Sequence, residues 1–162
     1  MARLKFWVVS AVLLSLAACQ DQASTDPAPD MDEINRAALG PAEEILLTPI
    51  SFDDVERHNL FGMGCNLLDQ NGTMLFIAQS DQASFLIAGQ LVRAAADMGA
   101  KELPYGARAH YLSSKYAIDL TLDDKAPDHV AEEVADYTGT LEIRDAQDRL
   151  VYRHSGVVQC GA

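Results

Sequence analysis

The stretch Tyr-Ala-Ile-Asp-Leu-Thr-Leu at residues 116–122 decides how this chain folds. Tyr116, Ile118, Leu120 and Leu122 alternate with Ala117, Asp119 and Thr121, and a period of two sends the two sets to opposite faces of an extended strand. One face is apolar and the other can meet water. Residues 135–144 repeat the pattern through Tyr137, Gly139, Leu141 and Ile143. Outward from these segments, short runs of apolar, β-branched and aromatic residues recur at 63–68, 73–78, 84–87, 90–96, 107–112 and 150–159. Turn residues separate them, most clearly Asp69-Gln70-Asn71-Gly72, where asparagine and glycine tolerate positive φ, and then Asp145-Ala146-Gln147-Asp148. The pattern predicts a mainly β fold over residues 60–162, a small antiparallel β-barrel or sandwich of about seven to eight strands. Such a length holds one core, and no internal repeat or second domain is visible.

The residues before this domain have a different character. Arg3 and Lys5 precede an almost wholly apolar run to Leu16, and the small residues Ala17 and Ala18 stand before Cys19, the layout of a secretory signal. The run falls short of the roughly 20 residues that cross a bilayer. Leu16-Ala17-Ala18-Cys19 resembles the lipobox of bacterial lipoproteins. That resemblance implies removal of residues 1–18 and acylation of Cys19, and two or more acyl chains anchor a protein stably to a membrane. With Gln20 after the cysteine where aspartate would signal retention, it further implies a Gram-negative cell envelope and an outer membrane location facing the periplasm. Residues 19–32 are polar, with Pro27 and Pro29, and read as a flexible tether. Residues 33–59 read as a short helical or irregular lead-in. A short N-terminal helix is expected over Asp32–Leu39, stopped by Gly40-Pro41, and an apolar piece at Ile45–Leu47 is ended by Pro49.

Charge narrows the partners. The chain has 12 Lys and Arg against 24 Asp and Glu, a net charge of -12. Loss of Arg3 and Lys5 with residues 1–18 would leave 10 against 24, or -14. Such a surface repels nucleic acid and anionic head groups, so a charged partner is expected to be a cationic protein, peptide or metal ion. The same acidity also serves solubility alone. Once Cys19 is set aside, Cys65 and Cys160 form an even pair suited to a disulfide in an oxidising compartment. They lie in the first and last predicted strands, so a bond would staple the ends of the domain. A redox-active pair is the alternative, but Cys-x-x-Cys spacing is absent.

Catalytic signatures are sparse. Gly-x-Ser-x-Gly and Ser-x-x-Lys are absent, and Ser113-Ser114-Lys115 reads as a hairpin turn. His58, His110, His129 and His154 are scattered without His-x-x-x-His or His-x-His spacing, although His110 and His154 fall in predicted strands and could meet across a sheet. Asp123, Asp124, Asp128, Glu132 and Glu133 read as a solvated acidic connection. No catalytic residue, cofactor or metal is expected. Around Pro104-Tyr105-Gly106, the residues Tyr105, Arg108, Tyr111 and Lys115 are the candidate partner-binding set, because tyrosine and arginine are favoured in protein-binding hot spots. Alternatively, these aromatics fill a thin barrel core and Arg108 pairs with a local carboxylate.

Gly106-Ala107-Arg108 followed by Tyr111, together with the lipobox, tether and disulfide-closed β-domain, resembles the membrane-bound inhibitors of C-type lysozyme. That family has a small residue where Tyr105 stands, and no Trp-Lys-Gly-like stretch follows here. The resemblance implies a compact antiparallel barrel that blocks a lysozyme cleft, with Arg108 and Lys115 as the candidate inhibitory residues. The expected function is a lipid-anchored, non-catalytic envelope lipoprotein acting as a binding or structural module, with lysozyme inhibition as the alternative.

Overall fold

The computed structural model describes residues 31–162. The expected signal, Cys19 and nearly all of the tether lie outside the described residues. Leu39–Ala162 pack as one compact unit. Helix α1, Met31–Leu39, belongs almost wholly to the preceding unit and matches the short helix expected there.

Period-two patterning becomes ten strands: β1 (Leu47–Thr48), β2 (Gly64–Leu68), β3 (Met74–Ala78), β4 (Gln82–Ile87), β5 (Gln90–Ala96), β6 (His110–Leu112), β7 (Tyr116–Leu122), β8 (Asp128–Ala131), β9 (Val134–Asp145) and β10 (Leu150–Gly161). Eight of them, β2 to β7 with β9 and β10, pair antiparallel with their neighbours in chain order. β10 then returns to β2 and closes the ring. The result is an eight-stranded up-and-down barrel, and closure distinguishes it from a sandwich because it leaves no unpaired sheet edge in the ring.

The apolar faces point inward and fill the interior. Leu67, Phe76, Phe85, Tyr111, Ile118, Leu120, Leu141, Ile143 and Val158 are fully buried there in one cluster. Phe76 meets Phe85 and Tyr111 with ring centroids 6.0 and 6.3 Å apart. Cys65 and Cys160 stand opposite each other in the β2–β10 pair and form a disulfide that closes a loop of 95 residues.

The lead-in is more ordered than its sequence suggests. α2 (Phe52–His58) begins with a reciprocal capping box: Ser51 Oγ accepts from Asp54 N at 3.2 Å, and Asp54 Oδ2 accepts from Ser51 N at 3.0 Å. The hydrogen bonds from Ser51 hold the Asp54 carboxyl below its usual range. Two turns of helix are not stable alone. Val55 packs with Ile50, Leu60, Ile77 and Leu86 on the outside of β3 and β4, a second small core that holds α2 against the barrel. The acidic connection read as a loop also contains a strand. β8 pairs with β9 beyond the end of β7, so β7 and β8 follow the same edge of β9 with residues 123–127 between them. The interrupted register hides this strand from a periodicity reading.

Candidate functional site

An up-and-down barrel reverses direction at every connection, so successive connections lie at opposite ends. The β5–β6 connection, which holds Tyr105 and Arg108, is therefore at the end opposite the β6–β7 turn that holds Lys115. The four candidate residues do not form one patch.

At the β5–β6 end, Tyr111 is fully buried. Its hydroxyl donates to Gln79 O at 2.7 Å and accepts from Arg108 N at 2.7 Å. Burial pushes its phenol pKa up, against the opposing effect of the Arg108 N–H. The Arg108 guanidinium is 3.3 Å from Glu102, its side chain is 17% exposed, and its Nε is buried without a hydrogen-bond partner. Tyr105 is half-buried against the main core and takes the left-handed conformation at φ 55° and ψ 30°, inside the single helical turn Pro104–Gly106. A bulky residue there is strained. The loop thus closes the barrel end with its own aromatic, and Arg108 pairs with a local carboxylate. That is the packing alternative which the sequence left open.

At the other end Lys115 is exposed and has no ion-pair partner among the described residues. Ser113 Oγ accepts from Tyr116 N at 2.9 Å and from Lys115 N at 3.3 Å, which fixes the β6–β7 turn. Beside it lies a groove of about 440 Å³ with Ile45, Ile87, Tyr116 and Val151 in its walls. Residues 42–47 cross this mouth. Ala42, Ile45 and Leu47 pack on the core, and Ile45 N donates to Val151 O at 3.0 Å. Arg149 braces the crossing through Asp145 at 2.7 Å and the carbonyls of Leu39, Gly40 and Pro41.

The outer face of β6, β7, β9 and β10 carries charge. His110, Asp119, Glu142 and Arg153 are successive cross-strand partners, and His110 Nδ1 is 2.7 Å from Asp119 Oδ1. His154 stacks instead on Tyr152, with ring centroids 6.4 Å apart, so the two histidines that could have met across a sheet have other partners. An apolar interior and a charged outer face invert the pattern of a membrane-spanning barrel. Among the described residues no helix is long and apolar enough to cross a membrane. Among them, too, no three His, Cys, Asp or Glu side chains are placed to hold a metal ion together.

Sequence reasoning gave no partner-binding role to Phe52, Phe61 and Met63, which are 64, 55 and 58% exposed. Large apolar residues at Phe61-Gly62-Met63, just before the first barrel strand and outside any helical period, were the available signal. Comparison with protein-family models, with curated proteins and with solved structures found no match.

Proposed function

We propose that this chain is a lipid-anchored lipoprotein of the Gram-negative cell envelope, held through acylated Cys19 at the outer membrane on the periplasmic side. Its barrel acts as a non-catalytic binding or structural module. The filled interior carries this reading: barrels that transport a small ligand keep a cavity for it, whereas Phe76, Phe85, Tyr111 and Leu120 occupy this one. A partner therefore meets the outer faces and the ends. The lipobox-like Leu16–Cys19 supports the anchor, and the Cys65–Cys160 disulfide supports an oxidising compartment.

Radiolabelled palmitate fed to cells producing the chain tests the anchor. Label is expected in the wild type, in the outer membrane fraction, and is expected to vanish in Cys19→Ser. Label that persists in Cys19→Ser overturns the anchor.

Inhibition of C-type lysozyme is the second reading. It is favoured by Lys115, exposed at a hairpin tip of an acidic protein whose net charge attracts cationic enzymes. Arg108 is 3.3 Å from Glu102, so this reading leans on Lys115 first. Titration of the chain into a cell-wall lysis assay is expected to give stoichiometric inhibition that Lys115→Ala weakens. Undiminished lysis at micromolar protein removes this reading.

A further inference from the structure

Phe52 at the start of α2 and Phe61 beyond its end stand edge to face, with ring centroids 6.1 Å apart. Both rings and Met63 are more than half exposed. Helix α2 packs on the barrel through Val55, while these three side chains stay largely exposed and so are surplus to the fold. The backbone at Phe61 is tied to the barrel. Gln79 Nε2 donates to Phe61 O at 3.0 Å, and the carbonyl of the same Gln79 accepts from the buried Tyr111 hydroxyl. A rigid cluster of two aromatics and a thioether, tied through one residue to the barrel core, has the make-up of an interface anchor.

Charge selects the occupant. Asp53 and Glu56 on α2 and Asp81 beyond Gln79 are exposed and have no ion-pair partner among the described residues, whereas Arg57 is already 3.0 Å from Asp54. We propose that Phe52, Phe61 and Met63 form a docking surface for a basic protein that offers an apolar pocket rimmed by lysine or arginine. A second copy of the chain would set acidic rims against each other at a net charge of -12 each, and anionic lipid would be repelled likewise. The proposal rests on the binding-module reading and names its surface and class of partner.

A photo-crosslinking residue placed in the full chain at Phe61 or Met63, and for comparison at Lys115 or Thr121, tests this in intact cells. Positions 61 and 63 are expected to capture the same basic protein. Its purified form should bind the full chain less tightly as salt rises, and at least about tenfold less tightly to Phe61→Ser or Met63→Ser. Both variants alter exposed side chains, and unchanged thermal melting separates lost contact from lost fold. Capture of a second copy, of lipid or of an acidic protein overturns the proposal, as does unaltered affinity in both variants. Capture at Lys115 or Thr121 alone overturns this surface and leaves the binding module standing. Silence at all four positions overturns both.

Discussion

Cys65 and Cys160 face each other across the one seam of the barrel that joins the first ring strand to the last, with Cα atoms 4.0 Å apart. Every other ring pairing joins strands consecutive in the meander, apart from the short β8 interlude. The disulfide therefore locks the pairing with the greatest loop-closure cost. Reduction, or Cys160→Ala in the presence of Cys65→Ala, should lower stability by about 4 to 5 kcal/mol on the loop-entropy account. Urea melts with and without reductant measure it, and coincident midpoints would deny the seam this role.

Tyr111→Phe keeps the ring but leaves Gln79 O and Arg108 N without their buried partner. A loss of about 1 to 3 kcal/mol is expected. The raised phenol pKa adds a pH signature: its contribution is fully present below the unfolded value near 10 and is lost as pH rises through the higher folded value. Alkaline melts of the wild type should fall more steeply than those of Tyr111→Phe.

Asp54, Asp69 and Asp145 all have carboxyls held below the ordinary range. The causes are foremost the Ser51 side chain for Asp54, the Thr73 amide for Asp69 and the Arg149 side chain for Asp145. Lowered folded pKa values stabilise above the unfolded value, near 4, and the gain disappears as pH falls through the folded ones. Acid melts should therefore steepen below about pH 4. Asp145→Asn should flatten that slope, and an unchanged slope would clear Asp145 of the effect.

Ala88 and Gly89 form the two-residue β4–β5 turn with φ values of 50° and 75°. Alanine pays a steric cost in that region which glycine or asparagine avoids. Ala88→Gly or Ala88→Asn should raise stability by about 1 kcal/mol, read as a higher melting temperature.

Lys115→Ala should leave stability within about 0.5 kcal/mol, because the side chain is exposed. Arg108→Ala should cost about 1 kcal/mol or more through the loosened Glu102–Arg108 loop. Equal thermal shifts in the two variants would contradict the difference between a presented and a packed cation.

Local patterning carried much of the fold. All eight ring strands were legible because alternation and turn residues act within a few positions, as at Tyr116–Leu122 and Asp69–Gly72. Within the lead-in read as short helical or irregular, α2 was not placed, because seven residues span only about two helical turns, although Ser51 and Asp54 spelled its capping box. β8 was missed because Asp123–Glu133 is acidic and its pairing is interrupted.

The candidate site was less legible, and for a different reason. Tyr105, Arg108, Tyr111 and Lys115 are neighbours in sequence, yet β6 runs between the two barrel ends and separates Lys115 from the rest. The sequence by itself determined the strands, the turns, the excess of negative charge and the pairing of two cysteines, since each depends on residue type and short spacing. Only the tertiary structure decided barrel over sandwich, which tyrosine is core, which cation is exposed and where Phe52 meets Phe61. Closure and burial arise from contacts between residues far apart in the chain, and no local pattern encodes which end of a meander a given turn will face.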